Sequence, residues 1–167
     1  MRGDTSQAPR FIVDAMLGKL ARKLRLYGFD TLFGSDLDDE QLLETAMVQR
    51  RMLITSDEEL AERAWRRQIP VHLVSESDEA RTLARLFRAL KVERALIPER
   101  ARCTKCNAPV AVVERERVKD RVPPGVLRMH EKFYICRSCG SVYWHGSHWS
   151  RLRALHSRVE RLMEVEG

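Results

Sequence analysis

No stretch of the chain approaches the roughly 18 consecutive apolar residues that a transmembrane helix needs. The opening residues, MRGDTSQAPR, contain no apolar h-region, so a secretory signal is not expected. Residues 1–10 read instead as a polar lead-in. There is no low-complexity tract, and no internal repeat beyond two cysteine pairs. Cysteine is absent outside residues 103–139. Without an export signal, four clustered cysteines argue for metal rather than disulfides. The expectation is a soluble cytoplasmic protein with no membrane partner and no small-molecule cofactor.

What is present is enough for one ordinary domain and a smaller module. The chain has 167 residues, 44% of them hydrophobic, and a net charge of +6. Residues 1–100 hold 17 basic and 17 acidic side chains. Residues 101–167 hold 13 basic and 7 acidic, so they carry the whole excess. A basic module beside a balanced one favours a polyanionic partner, although a solubility role fits the same count.

Residues 11–92 alternate between two periodicities. Short apolar runs at Phe11–Val13, Thr31–Phe33, Met52–Thr55 and Val71–Val74 read as strands. Between them, apolar residues recur at helical spacing, first as Leu17, Leu20, Ala21 and Leu24, with Lys19, Arg22, Lys23 and Arg25 mostly off that stripe. Gly28 is a plausible helix stop. Asp38 or Asp39 fits as the cap of a second helix, residues 58–67 as a third, and Ser77 or Asp78 as the cap of a fourth. The order β-α-β-α-β-α-β-α with short connections implies a mainly parallel sheet covered by helices on both faces. Residues 93–100, charged and containing Pro98, read as a linker. Residues 101–149 form the cysteine module, with a turn at Pro123-Pro124-Gly125. A closing helix spans 150–167, its apolar face formed by Leu152, Leu155, Val159 and Leu162.

Three successive strands aim acids at one edge. Asp14 ends the first strand and Asp57 the third. Asp36, Asp38, Asp39 and Glu40 follow the second, and Asp78 comes shortly after the fourth. Ligands of open parallel sheets bind at the carboxyl ends of the strands. Clustered carboxylates repel by about 4 kcal/mol per pair at ~4 Å in an effective dielectric of ~20, unless a proton or cation lies between them. Oxygen ligands without histidine suit Mg²⁺ or Mn²⁺, and such ions serve phosphodiester cleavage. Taken singly, Asp38, Asp39 and Asp57 are also ordinary helix caps. Asp14, between Phe-Ile-Val and Ala-Met-Leu, has no such excuse.

Cys103-Thr-Lys-Cys106 and Cys136-Arg-Ser-Cys139 supply four thiolates, a tetrahedral zinc set with no open position and hence a structural one. A redox dithiol or an iron–sulfur cluster is the lesser alternative. The 29 intervening residues are expected to form β-hairpins. Zinc binding, worth on the order of 10 kcal/mol, would replace the core so small a module lacks. Lys105, Arg115, Arg117, Lys119 and Arg121 are candidate phosphate contacts. Trp144, Trp149 and His148 are candidates to stack on bases or to reach phosphates. The tryptophans suit equally well a role as glue between ribbon and α/β domain. His72 and His156 read as structural.

The runs FIVDAMLGKLARKLRLYGFDTLF, LITSD, CTKCN and CRSCGSVYWHGSHWSRL, in that order over about residues 11–155, resemble the Mut-seven C-terminal RNase domain family. The resemblance implies a PIN-like three-layer α/β nuclease fold with an appended zinc ribbon. It implies endonucleolytic RNA cleavage with Mg²⁺ or Mn²⁺, catalytic acids at Asp14, at Asp38 or Asp39, and at Asp57, and a structural Zn²⁺. Asp78 is a weak candidate for a fourth acid. Ser56 stands where the family more often has arginine. The competing class is a non-catalytic RNA- or ribosome-binding adaptor in which the acids are only caps. A phosphoacceptor domain would need paired acids after the first strand and a lysine after a fifth. An aspartyl-nucleophile hydrolase would need D-x-D where Asp14-Ala-Met stands.

Overall fold

The computed structural model describes residues 8–92 and 95–165. Residues 1–7 of the lead-in, 93–94 of the linker and 166–167 of the closing helix lie outside the described residues. Four strands form one sheet: β1 (Phe11–Asp14), β2 (Thr31–Gly34), β3 (Met52–Thr55) and β4 (Val71–Leu73). Their order is β2-β1-β3-β4, and every pairing is parallel. In register, Val13 lies opposite Phe33 on one side and Ile54 on the other.

The central strands β1 and β3 are nearly all apolar because both their faces are covered. Side chains alternate along a strand, so Phe11, Val13 and Ile54 enter one core and Ile12 and Leu53 the other. The first core is closed by α1 (Gly18–Leu26) and α4 (Glu79–Leu90). The second is closed by α2 (Asp39–Val48) and α3 (Glu58–Arg66). Each of the last three helices starts on an aspartate whose carboxylate accepts a backbone N–H three residues on: Asp38 for α2, Asp57 for α3 and Asp78 for α4.

The second module is a three-stranded antiparallel sheet of β5 (Val110–Glu114), β6 (Lys132–Cys136) and β7 (Val142–Tyr143). The segment expected to fold as hairpins is only partly so. β6 and β7 are joined directly, but β5 and β6 are separated by α5 (Pro124–Met129). Pro123-Pro124-Gly125, expected as a turn, opens that helix. Proline suits the first helical position, where its fixed φ is already correct and its missing N–H has no partner to lose. Val118, Val122 and Phe133 are buried beneath this excursion, with Trp144 against them.

The closing helix α6 (Ser147–Val165) begins three residues before the expected Ser150. It returns to the α/β domain: Val159 is buried in the first core, with Leu155 and Leu162 packed beside it. His156 also serves structure, its Nδ1 lying 3.0 Å from the Tyr27 hydroxyl.

Arg25 corrects the reading of α1. Grouped by sequence with the solvent-facing bases, it is 7% exposed. Its guanidinium donates to the Thr31 carbonyl at 2.9 Å and to the Thr104 carbonyl at 2.7 Å, tying the first cysteine knuckle to β2. Asn107 makes a second tie. Its Oδ1 accepts the Thr31 N–H at 2.9 Å, and its Nδ2 donates to Asp30 at 2.8 Å. Gly28, at φ +87°, both ends α1 and passes under this joint, where a Cβ would stand 2.7 Å from the Arg100 carbonyl oxygen.

Candidate functional site

The chain reverses direction at the centre of the sheet. β1 leads outward to β2 through α1 on one face. β3 leads the opposite way to β4 through α3 on the other face. The loops leaving the neighbouring strands β1 and β3 therefore diverge at their carboxyl ends, the switch point at which open parallel sheets bind ligands. Asp14 and Thr55-Ser56-Asp57 sit there. Thr55 is fully buried, and its hydroxyl donates to Asp14 Oδ2 at 2.9 Å. The Thr55 hydroxyl oxygen in turn accepts the Asp57 N–H at 3.0 Å. Asp57 Oδ1 caps α3 by accepting the Leu60 N–H at 3.0 Å. One hydroxyl thus joins the Asp14 carboxylate to the Asp57 backbone, and each of the two carboxylates keeps one oxygen outside these hydrogen bonds.

The other predicted acids are engaged elsewhere. Asp38 forms a reciprocal capping box with Gln41. Asp39 pairs with Arg63 at 2.8 Å, and Glu40 with Arg63 and Arg67. Asp78 caps α4 and pairs with Arg158 at 3.0 Å. Glu76, not flagged from sequence, lies near that edge with Oε1 on Arg85 at 2.8 Å and a buried Oε2 that has no hydrogen-bond partner. Thr55 was also missed, because a lone threonine at a strand end carries no signal of its own.

The four cysteines converge. The Sγ atoms of Cys103 and Cys139 are 3.5 Å apart, those of Cys106 and Cys136 are 3.4 Å apart, and all four lie within 4.8 Å of one another. A tetrahedron with sulfurs ~2.3 Å from its centre has edges of about 3.8 Å, so the set fits zinc. The knuckles are built alike. Asn107 and Gly140, each following the second cysteine of its pair, adopt φ +69° and +75°. Their N–H groups bond back to the carbonyls of Cys103 and Cys136. Burial pushes the Cys136 thiol up to about 11, whereas the Ser141 hydroxyl pulls Cys139 down to about 6. The Tyr143 hydroxyl, 3.0 Å from Cys103 Sγ, is a donor for a thiolate there. Among the described residues this is the only group of three or more metal-ligating side chains gathered so closely.

Between α1, the ribbon strands and the start of α6 runs a groove of about 790 Å³. Trp144, His148 and Trp149 line it, as do Lys19, Arg22 and Lys23 of α1 and Arg151 of α6. The α1 bases were not flagged as contacts. Their 19-22/23 spacing off the apolar stripe was the only available sign of a shared face. Tyr134, His145 and Trp149 form a continuous stack, with ring centroids 5.3 and 4.5 Å apart. Lys105, Arg115, Arg117, Lys119 and Arg121 are exposed but do not line the groove.

An all-parallel α/β domain, with acids at its switch point and a four-thiol ribbon consistent with zinc, is thus defined by fold and site together. A model of the Mut7-C RNAse domain family matches residues 9–156, nearly the whole chain, and the protein belongs to that family. No curated protein and no solved structure matches the chain. Membership of an RNase family implies RNA as the substrate class. Among the described residues no helix is long and apolar enough to cross a membrane.

Proposed function

We propose that the protein is a divalent-metal-dependent endoribonuclease, with Asp14 and Asp57 as the acids that hold Mg²⁺ or Mn²⁺. The observation that carries this reading is the Thr55 hydroxyl joining both residues at the switch point between β1 and β3, in a chain of an RNase family. A cation bound there supplies a nucleophilic hydroxide and neutralises charge at the leaving oxygen. Thr55 holds Asp14 Oδ2, leaving Oδ1 for the cation. The N-terminus of α3 and its Leu60 N–H hold Asp57 Oδ1, leaving Oδ2 for the same use. For a third acid to join, Asp38 would give up its cap on α2, or Asp39 its pair with Arg63. The ribbon, held by structural Zn²⁺ on Cys103, Cys106, Cys136 and Cys139, supports RNA binding.

The adaptor reading has one observation in its favour: Asp38, Asp57 and Asp78 all cap helices. The two readings separate on cleavage. Zinc-loaded protein is incubated with structured and unstructured RNA in Mn²⁺ or Mg²⁺, wild type beside Asp14→Asn and Asp57→Asn. Both variants are expected to lose cleavage by orders of magnitude while still binding RNA. The double variant is expected to be no worse than either single, because the acids act as one unit. Asp57→Asn keeps a good cap, so stability should change by under about 1 kcal/mol. Cleavage at the wild-type rate by Asp57→Asn in limiting metal would remove Asp57 from the assigned acids, and absence of cleavage by the wild type in either metal would put the adaptor reading ahead.

A further inference from the structure

We propose that the groove between α1, the ribbon and the start of α6 binds a single-stranded segment of RNA that continues along α1 to Asp14. This deepens the nuclease reading and rests on it for the polarity of the track, from gripping groove to cutting edge.

Charge supports an anionic occupant. The lining carries Lys19, Arg22, Lys23, Arg102 and Arg151 against one acid, Glu79. Lys23 pairs with Glu79 at 3.5 Å, and Arg102 donates to the Asn107 carbonyl. Among the described residues, Lys19 and Arg22 have no carboxylate within 4.0 Å, and Arg151 reaches only the ring nitrogen of His148. Three cations thus line an open groove with their counter-charge still to come, and a phosphate chain supplies it.

The rings identify the strandedness. Tyr134, His145 and Trp149 already form three layers of a stack, and Trp149 lines the groove at its end. A base adds a fourth layer at little cost, since every base has a π-face. A duplex buries its base faces in its own stack and cannot offer one. The groove therefore takes an unpaired segment.

The geometry gives the track its direction. Lys19 is one residue into α1, and α1 begins four residues after Asp14. A smaller depression of about 110 Å³, lined by Met16, Glu76 and Ser77, shares Lys19, Lys23 and Glu79 with the groove. Met16, 81% exposed, lies two residues from Asp14. The nine residues of α1 span about 14 Å, so a short run of nucleotides bridges ribbon and switch point.

The test uses the zinc-loaded full chain carrying Asp14→Asn, so that nothing is cleaved. A labelled unpaired oligoribonucleotide and a blunt-ended duplex of the same composition are titrated by fluorescence anisotropy across a salt series. The unpaired strand is expected to bind more tightly. Lys19→Glu with Arg22→Glu should weaken it roughly tenfold or more and lower the salt slope by about 1.4, the value for two lost phosphates on a single strand. Trp149→Ala should cost roughly 5- to 100-fold, and Trp149→Phe should restore most of it. Zinc content and melting temperature are read for each variant; the α1 pair, being surface charges, keeps the test alive if Trp149→Ala fails to fold. Equal affinity for duplex and strand overturns the proposal. So does unchanged binding by the folded α1 variant, or an equal loss from Arg115→Glu with Arg117→Glu, which would move the site to the loop after β5. Because binding is read without cleavage, a groove that binds beside an Asp14→Asn protein that still cuts would sink only the assigned acids.

Discussion

Thr55→Val removes one oxygen and nothing else of consequence. Valine has the same shape and the same preference for a strand, and Thr55 is fully buried, so no cavity is opened. Two hydrogen bonds are lost. The bond to Asp14 Oδ2, 2.9 Å long, ends on a carboxylate and is of the stronger kind, about 1.5–3 kcal/mol. The bond from the Asp57 N–H, 3.0 Å long, is of the ordinary kind, about 1 kcal/mol. Asp14 is only partly buried and Asp57 is exposed, so water recovers a share of both. A net loss of about 1–2 kcal/mol follows, or a fall of roughly 2–8 °C in melting temperature for a chain of this size. The effect on chemistry should be larger than that on stability. A carboxylate released from its positioning partner typically costs 10- to 100-fold in metal affinity or activity. The assay is single-turnover cleavage of an end-labelled oligoribonucleotide over a Mn²⁺ titration, with melting curves in parallel. Thr55→Ser keeps the hydroxyl and should recover the metal dependence, though not all of the stability. If Thr55→Val melts lower yet cleaves with wild-type rate and metal dependence, then Thr55 is a structural residue and the coupling of Asp14 to Asp57 through it has no catalytic meaning.

Asn107→Gly retains the φ of +69° but strands the Thr31 N–H, so it should destabilise by about 1–3 kcal/mol; Asn107→Ala should cost more, since it adds backbone strain, as read by urea melts. Burial alone would raise the Asp30 carboxyl, but hydrogen bonds from Arg51 and Asn107 outweigh it and hold it well below the usual carboxylate range. A depressed folded-state pKa stabilises above the unfolded value of about 3.9 and is lost as pH falls below it. The melting-temperature gap between wild type and Asp30→Asn should therefore be full at neutral pH and shrink in acid; a gap that grows in acid would contradict the pairing. Chelation should release one zinc per chain and unfold residues 101–149 while the α/β domain keeps its far-UV signal, and a disulfide among the four cysteines of the reduced, metal-loaded protein would defeat the zinc assignment.

The sequence by itself carried most of the local elements and the four-thiol set. Phe11–Val13 and Met52–Ile54 read as strands covered on both faces, because an unbroken apolar run leaves no side for water and each is too short for a helix. The caps were readable to within a residue, as Asp38 or Asp39, Asp57, and Ser77 or Asp78, because a cap bonds to a backbone N–H three residues away, within reach of local pattern; the structure selects Asp38 and Asp78. The two C-x-x-C knuckles were readable for the same reason. Tertiary structure decided everything that depends on which segments become neighbours. Only the pairing of β3 beside β1 brings Thr55 against Asp14, a neighbourhood that no local pattern around Asp57 contains. Arg25 looked like its solvated neighbours, yet the ribbon folded over it and supplied the carbonyl of Thr104. Pro124 and Gly125 carried the marks of a turn, but a hydrophobic excursion over Val118 and Phe133 made them a helix start. The groove was the least legible feature, since Lys19 and Trp149 are 130 positions apart and meet only because α6 returns to the first core. Local patterns are set by bonds between residues a few positions apart, whereas a binding surface is set by the packing of faces whose partners no short window contains.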